Sequence, residues 1–342
     1  MLGGTGWLGR VVAETAVAAG HEVTCLARGE SGSMPDGVRV VLADRDRDDA
    51  MTTLVEAAER EDDGAWEVVV DVARQPGHVR RAATALAPVA RHYVLVSSCS
   101  VYADHTIMAG DESGATLPPL DDDVMSSMEV YGEAKVACEQ HVLAAFGPDR
   151  SLFARAGLIA GPGDTTDRTG YWPWRFARPA DPAGRVLVPD AGEQPTQVVD
   201  VRDLAQWLLS AGEAGTAGAY DAVGQVVPLA AHLDVARSVA GHRGALVPAA
   251  AGWLAAHEVE SWMGPRTLPL WLHEPEFAGL SARTGARART AGLVTRSLES
   301  TLADTLAWEL ARPVDHVRRA GLTDAEERTL LAELAAVGVI GP

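Results

Sequence analysis

One lysine stands in this chain of 342 residues, at position 135, and every other basic residue among the 29 is arginine. Cysteine is nearly as scarce. Cys25, Cys99 and Cys138 show neither CxxC nor metal-ligand spacing, so no disulfide framework is implied and a reducing cytoplasm is the expected compartment. There is no run of about 18 apolar residues and no basic segment leading into an apolar one, so neither a membrane span nor a secretory signal is expected. No internal repeat and no linker-length low-complexity tract is present. The histidines lack HExxH-type spacing. Asp121, Asp122 and Asp123 are consecutive and diverge too much for one simple site, so they read as a solvated loop and no metal is expected. Positive charge is also wanting: a net charge of −18 argues against a nucleic-acid or anionic-membrane surface. It leaves room for a small anion held by backbone N–H groups.

What is present describes a globular protein, with 47% apolar and 22% charged residues and length for one large α/β domain or two unequal lobes. The lone lysine follows Tyr131 by four residues. On a helix over 131–146 the two share a face one turn apart, and a cation beside a phenol favours phenolate, which suits proton transfer. Arginine is no simple substitute, being a planar fork rather than a compact ammonium. The alternative is a surface Tyr/Lys pair on an amphipathic helix.

From the amino terminus, Gly3, Gly6 and Gly9 frame a turn into a helix carrying Leu8, Val11, Val12, Ala16 and Ala19 at helical spacing. That turn, with Thr5, Trp7 and Leu8 between its glycines, is a candidate pyrophosphate cradle. Strands are expected at 23–26, 38–42, 66–70 and 93–96, with helices near 50–61 and 78–90, an alternation that marks a doubly wound parallel sheet. Only Met1 and Leu2 stand where the first, central strand belongs, so that strand is expected to be truncated by about six residues. Arg28 ends the 23–26 strand, and Ala27 occupies the place where an acidic residue would greet the ribose of NAD. This favours the 2′-phosphate of NADP over NAD; a surface arginine is the alternative, and Glu30 nearby opposes the charge argument.

Val96-Ser97-Ser98-Cys99-Ser100-Val101-Tyr102 and Tyr131/Lys135, added to the glycine turn, complete a pattern. It continues through Arg155, Gly161-Pro162-Gly163 and Val199-Asp200-Val201-Arg202-Asp203-Leu204-Ala205. The chain resembles the extended short-chain dehydrogenase/reductase family, also called the NAD-dependent epimerase/dehydratase family. The resemblance implies that Asp44 contacts the adenine, that Ala73 lines the nicotinamide-ribose path through its backbone and that Lys135 holds that ribose. Ser98 would then hydrogen-bond the substrate oxygen and Tyr131 transfer the proton. The plainer alternatives are a turn aspartate at 44 and hydroxyls closing a strand end at Ser97 or Ser98. The resemblance also implies a homodimer through 78–90 and 131–146.

Departures from the family pattern narrow the chemistry. Cys99 and Ser100 stand where dehydratases carry an Asp-Glu pair, and Leu158 stands where epimerases carry an asparagine. The expectation is therefore an NADP-preferring oxidoreductase acting on a carbonyl of a small-molecule substrate. A sugar-nucleotide epimerase or dehydratase and a non-catalytic NADP-binding regulator are the alternatives. The expected organisation is a Rossmann-type domain over 1–163, rejoined by 195–225, with a smaller, mostly helical substrate lobe from 164–194 and 226–342. There Tyr171, Trp172, Trp174 and Arg175 are candidates to clamp a planar or anionic substrate, and Trp172 and Trp174 as packing anchors are the alternative. Arg74 is a candidate to contact a phosphate or gate the site. Towards the carboxyl terminus Leu298, Leu302, Leu306 and Leu310 form a helical stripe, and Thr323-Asp324-Ala325-Glu326 reads as a capping box for a last helix.

Overall fold

The computed structural model describes residues 1–29, 34–60, 65–313 and 315–336. The chain forms two compact units, one of Met1–Gly157, Val201–Gly224 and Arg283–Thr295, the other of Leu158–Asp200, Gln225–Ala282 and Arg296–Pro342. The sequence expectation sets its boundaries at 163 and 195–225.

In the first unit the order is α1 (Trp7–Ala18), β1 (Thr24–Ala27), β2 (Arg39–Leu42), α2 (Thr52–Ala58) and β3 (Trp66–Asp71). It continues with α3 (Pro76–Leu86), β4 (Ala90–Ser98), α4 (Tyr131–Phe146) and β5 (Ser151–Ala156). A helix at Val201–Glu213 and a strand at Gly218–Ala222 complete it. All the strand pairs are parallel: β1 with β2, β3 with β4, β4 with β5, and β5 with Gly218–Ala222. Where the expected first strand belongs, a single residue joins the two ladders. Leu2 bridges Leu26 on one side and Asp71 on the other, donating its N–H to the Val70 carbonyl at 2.8 Å.

β1 and β5 are buried along their whole length and β4 at every residue but Arg91, because both faces of the sheet are covered there. Side chains alternate across the sheet, so Val69, Tyr93, Leu95 and Phe153 join a core with α3 and with Cys138, Val142 and Phe146 of α4. Val68 and Val94 face the other way and lie against Gly212 of the 201–213 helix, which packs beside α1.

Buried ions mark the carboxyl end of this sheet. The Asp71 carboxylate takes both terminal nitrogens of Arg45 at 2.8 and 2.7 Å, the Tyr93 hydroxyl at 2.7 Å and the Ala73 N–H at 2.9 Å. Burial pushes the Asp71 carboxyl up, and Arg45, Tyr93 and the Ala73 amide outweigh it, holding the carboxyl below its ordinary value.

The second unit packs around Trp172, Trp271, Phe176 and the parallel strand pair Val186–Pro189 and Leu246–Ala249. Tyr171–Ala177 is a helix, and Trp172 is fully buried with its indole N–H on the Pro269 carbonyl at 2.7 Å. Arg175 is also fully buried, bonded to the Leu322 carbonyl and Asp324 and paired with Glu327 at 2.9 Å. Trp172 takes the packing alternative, and Arg175 spends its charge on partners inside the unit. Of the stripe at Leu298, Leu302, Leu306 and Leu310, the helix Leu298–Ala311 buries Leu302 and Leu306 and exposes Leu310. A spacing of four overshoots the 3.6-residue turn, so the stripe drifts off the buried face. The last helix, Asp324–Ala336, opens with the expected reciprocal cap: Thr323 N–H donates to Glu326 at 2.8 Å and Glu326 N–H donates back to the threonine hydroxyl at 3.3 Å.

Replacing Asp71 with asparagine leaves the Arg45 charge buried without a counter-ion, a loss of about 3–5 kcal/mol. Because the folded-state carboxyl lies below its unfolded value, its contribution is complete above about pH 4 and is lost as pH falls through the folded value. Urea denaturation between neutral and acid pH should therefore show the gap between the wild type and Asp71→Asn closing as the medium is acidified. A gap independent of pH would contradict this.

Candidate active site

The turn from Gly3 to Gly9 is built from two kinds of glycine. Gly3 has a φ of +91°, and a Cβ on Gly9 would lie 2.2 Å from the Gly3 carbonyl oxygen, so the turn itself requires both. Gly6 differs. It caps α1 with an ordinary φ of −72°, and a Cβ there would meet only the Gly3 oxygen, at 3.5 Å. Packing does not call for a glycine at 6, but close approach of a ligand to the backbone would. The first-turn N–H groups of Trp7, Leu8 and Gly9 begin a helix whose cap donates no side-chain bond and whose first turn carries no acid. That combination suits a pyrophosphate.

Residues 131–146 form the expected helix, which carries Tyr131 and Lys135 one turn apart. Lys135 is buried, and its Nζ donates to the carbonyls of Ala73 and Val96, each at 2.6 Å. An ammonium has three donors, so one remains for a ligand hydroxyl. Ala73 thus uses its backbone twice, its N–H on Asp71 and its carbonyl on Lys135. Tyr131 is half-buried, and its phenol makes no hydrogen bond among the described residues. One residue on, Gly132 brings the helix start against the turn after β4: a Cβ there would lie 2.4 Å from the Ser100 carbonyl oxygen. Gly132 was not distinguished in the sequence, because the need for it lies in a residue 32 positions earlier.

Ser98 ends β4 and caps the short 3-10 turn Cys99–Val101, accepting the Ser100 N–H and donating to the Ser100 hydroxyl, both at 3.1 Å. These bonds are those of the strand-end alternative, with the Ser100 hydroxyl beside Ser98. Cys99 is buried with its thiol on the Arg155 carbonyl at 3.2 Å, and burial pushes that thiol well up. Neither position supplies a carboxylate.

Asp44 adopts the turn form, its Oδ1 accepting the Asp46 N–H at 3.1 Å. Arg28 is exposed just past β1, within electrostatic reach of Asp46. The Asp46 carboxyl is held below its ordinary value chiefly by the hydrogen bond from His78. Glu30 lies outside the described residues. Arg74 is exposed next to Ala73. Asp123 of the acidic triplet forks onto Arg80 at 3.0 and 2.5 Å, and its carbonyl takes the Gly77 N–H. Among the described residues no helix is long and apolar enough to cross a membrane.

A family model described as NAD dependent epimerase/dehydratase family matches residues 1–223. The 2'-dehydrokanamycin reductase of Streptomyces kanamyceticus is 33% identical over 224 residues, 63% of this chain and 55% of that protein, so the match spans about half the relative's length. The fold is similar to that of a putative epimerase from Burkholderia cenocepacia J2315, at a TM-score of 0.66 and 21% identity over 91% of this chain and 97% of that one. It is also similar to the UDP-N-acetylglucosamine 4-epimerase of Bacillus cereus, at 0.64 and 17% over 92% and 96%.

The two kinds of glycine are separable by experiment. Gly6→Ala should keep stability within about 1 kcal/mol while weakening NADPH binding, measured by calorimetric titration, at least about tenfold. Gly9→Ala should destabilise the fold itself, by about 1–3 kcal/mol. Unchanged NADPH affinity in a folded Gly6→Ala would remove the turn from the nucleotide site.

Proposed function

The chain belongs to the NAD dependent epimerase/dehydratase family, and from that premise we propose an NADP(H)-preferring oxidoreductase that reduces a carbonyl, or oxidises the matching alcohol, on a small metabolite. NADPH, when bound, supplies the hydride. Gly3, Thr5, Gly6, Trp7, Leu8 and Gly9 would hold its pyrophosphate, Arg28 its 2′-phosphate, Asp44 its adenine, and Ala73 and Lys135 the nicotinamide ribose. Tyr131 gives its phenolic proton to the substrate oxygen in reduction and takes it back in oxidation. Ser98 turns its hydroxyl from Ser100 to that oxygen. Lys135, fixed by two carbonyls, places a positive charge on the helix face from which the phenol projects.

The observation that carries the reading is that the turn after β4 has no carboxylate at Cys99 or Ser100. With Cys99 locked on a backbone carbonyl and Ser100 neutral, the turn after β4 offers hydroxyls only, and proton transfer falls to Tyr131. The match to a protein named as a reductase of a dehydro compound supports a ketone on a polar, hydroxylated molecule. Three buried free thiols suit a reducing cytoplasm. A homodimer through α3 and α4 is part of this proposal and rests on the family alone.

A carbonyl panel with NADPH, followed by nicotinamide absorbance, should yield a turned-over substrate. Tyr131→Phe should then lose about 10²–10⁴-fold in kcat/KM with NADPH affinity retained; full activity in that variant would refute the assignment. Arg28→Ala should weaken NADPH about tenfold or more and leave NADH unchanged, and equal affinities before and after would refute the NADP preference. Purified protein carrying tightly held, unexchangeable NAD would instead favour an epimerase.

A further inference from the structure

The face of α4 that carries Tyr131 and Lys135 continues one turn further to Glu139, a buried carboxylate to which the proposed chemistry assigns no part. Glu139 accepts the Ser97 hydroxyl at 2.5 Å and a two-pronged Arg155 at 3.0 and 2.8 Å. Arg155 stands directly across the sheet from Ser97, in the paired strand β5. Its third nitrogen donates to the Tyr102 hydroxyl at 3.1 Å, and Tyr102 donates in turn to Asp221 at 2.7 Å. Arg283 closes the row on Asp221 at 2.6 Å.

Three consecutive residues of β4 therefore meet α4 or the proposed substrate: the Val96 carbonyl holds Lys135, the Ser97 hydroxyl holds Glu139, and Ser98 ends the strand. Apolar packing between a helix and a sheet is not directional. A forked carboxylate–guanidinium pair is directional. We propose that Glu139, clamped by Ser97 and Arg155, is a positioning residue that sets the register of α4 along β4 and so holds Lys135 and Tyr131 at the strand ends. The consequence for catalysis rests on the function proposed above; the positional claim does not.

The solitary lysine makes the test direct. Protein grown with lysine labelled with ¹³C at the ε carbon should give one cross-peak, from Lys135. In Ser97→Ala, which alters no charge, and in Glu139→Gln, that peak should split or broaden, because the ammonium no longer has a single seat. The NADPH dissociation constant should rise about fivefold or more. Gln140→Ala, at the exposed neighbouring position, should leave both unchanged. A single, sharp, unmoved peak in folded Ser97→Ala and Glu139→Gln, with only the melting temperature lowered, would overturn the proposal and leave the pair a stability element. If Glu139→Gln does not fold, Ser97→Ala decides alone. A split peak with unchanged NADPH affinity would uphold the positioning and refute the cofactor role given to Lys135.

Discussion

The site depends on one buried ammonium gripped by two backbone carbonyls. Lys135 ties the end of β3, through Ala73, to the end of β4, through Val96, and carries the first turn of α4 with it. A charge so placed is tolerable only because it is bonded. This explains why a chain that uses arginine everywhere else keeps lysine here. Three rotatable donors on a compact head can divide between two carbonyls and a ligand, and a rigid planar fork cannot.

Around that ammonium the sheet end is lined with paired ions. Asp71 with Arg45 and Tyr93 sits on the β3 side, and Glu139 with Arg155 on the β5 side. Each pair is strongly destabilising to break and only modestly stabilising to have. Their value is geometric. The Asp71 carboxylate receives the Ala73 N–H, so it orients the same peptide segment whose carbonyl receives Lys135.

Much of this was legible in the sequence. The α4 helix is expected at the chain's one Tyr-x-x-x-Lys because that spacing puts both side chains on one helical face, the strand-helix alternation follows from apolar runs between glycine and proline punctuation, and the cap at Thr323 and Glu326 is local chemistry. What stayed hidden involves distant partners. Arg175 reads as a candidate clamp on an anionic substrate until Glu327, 152 residues on, is seen beside it. Gly132 reads as a neutral helix position until the Ser100 carbonyl is found against it. Arg45 and Asp71 show no local spacing rule at all. Leu310 failed for a different reason: a stripe repeating every four residues is nearly, but not quite, a helical face.

The most direct test of the account is NADPH affinity in Lys135→Arg, measured by fluorescence titration on protein shown to be folded. The charge is kept and only the shape of the donor changes. The account predicts at least about a tenfold loss of affinity; wild-type affinity in that variant would contradict it.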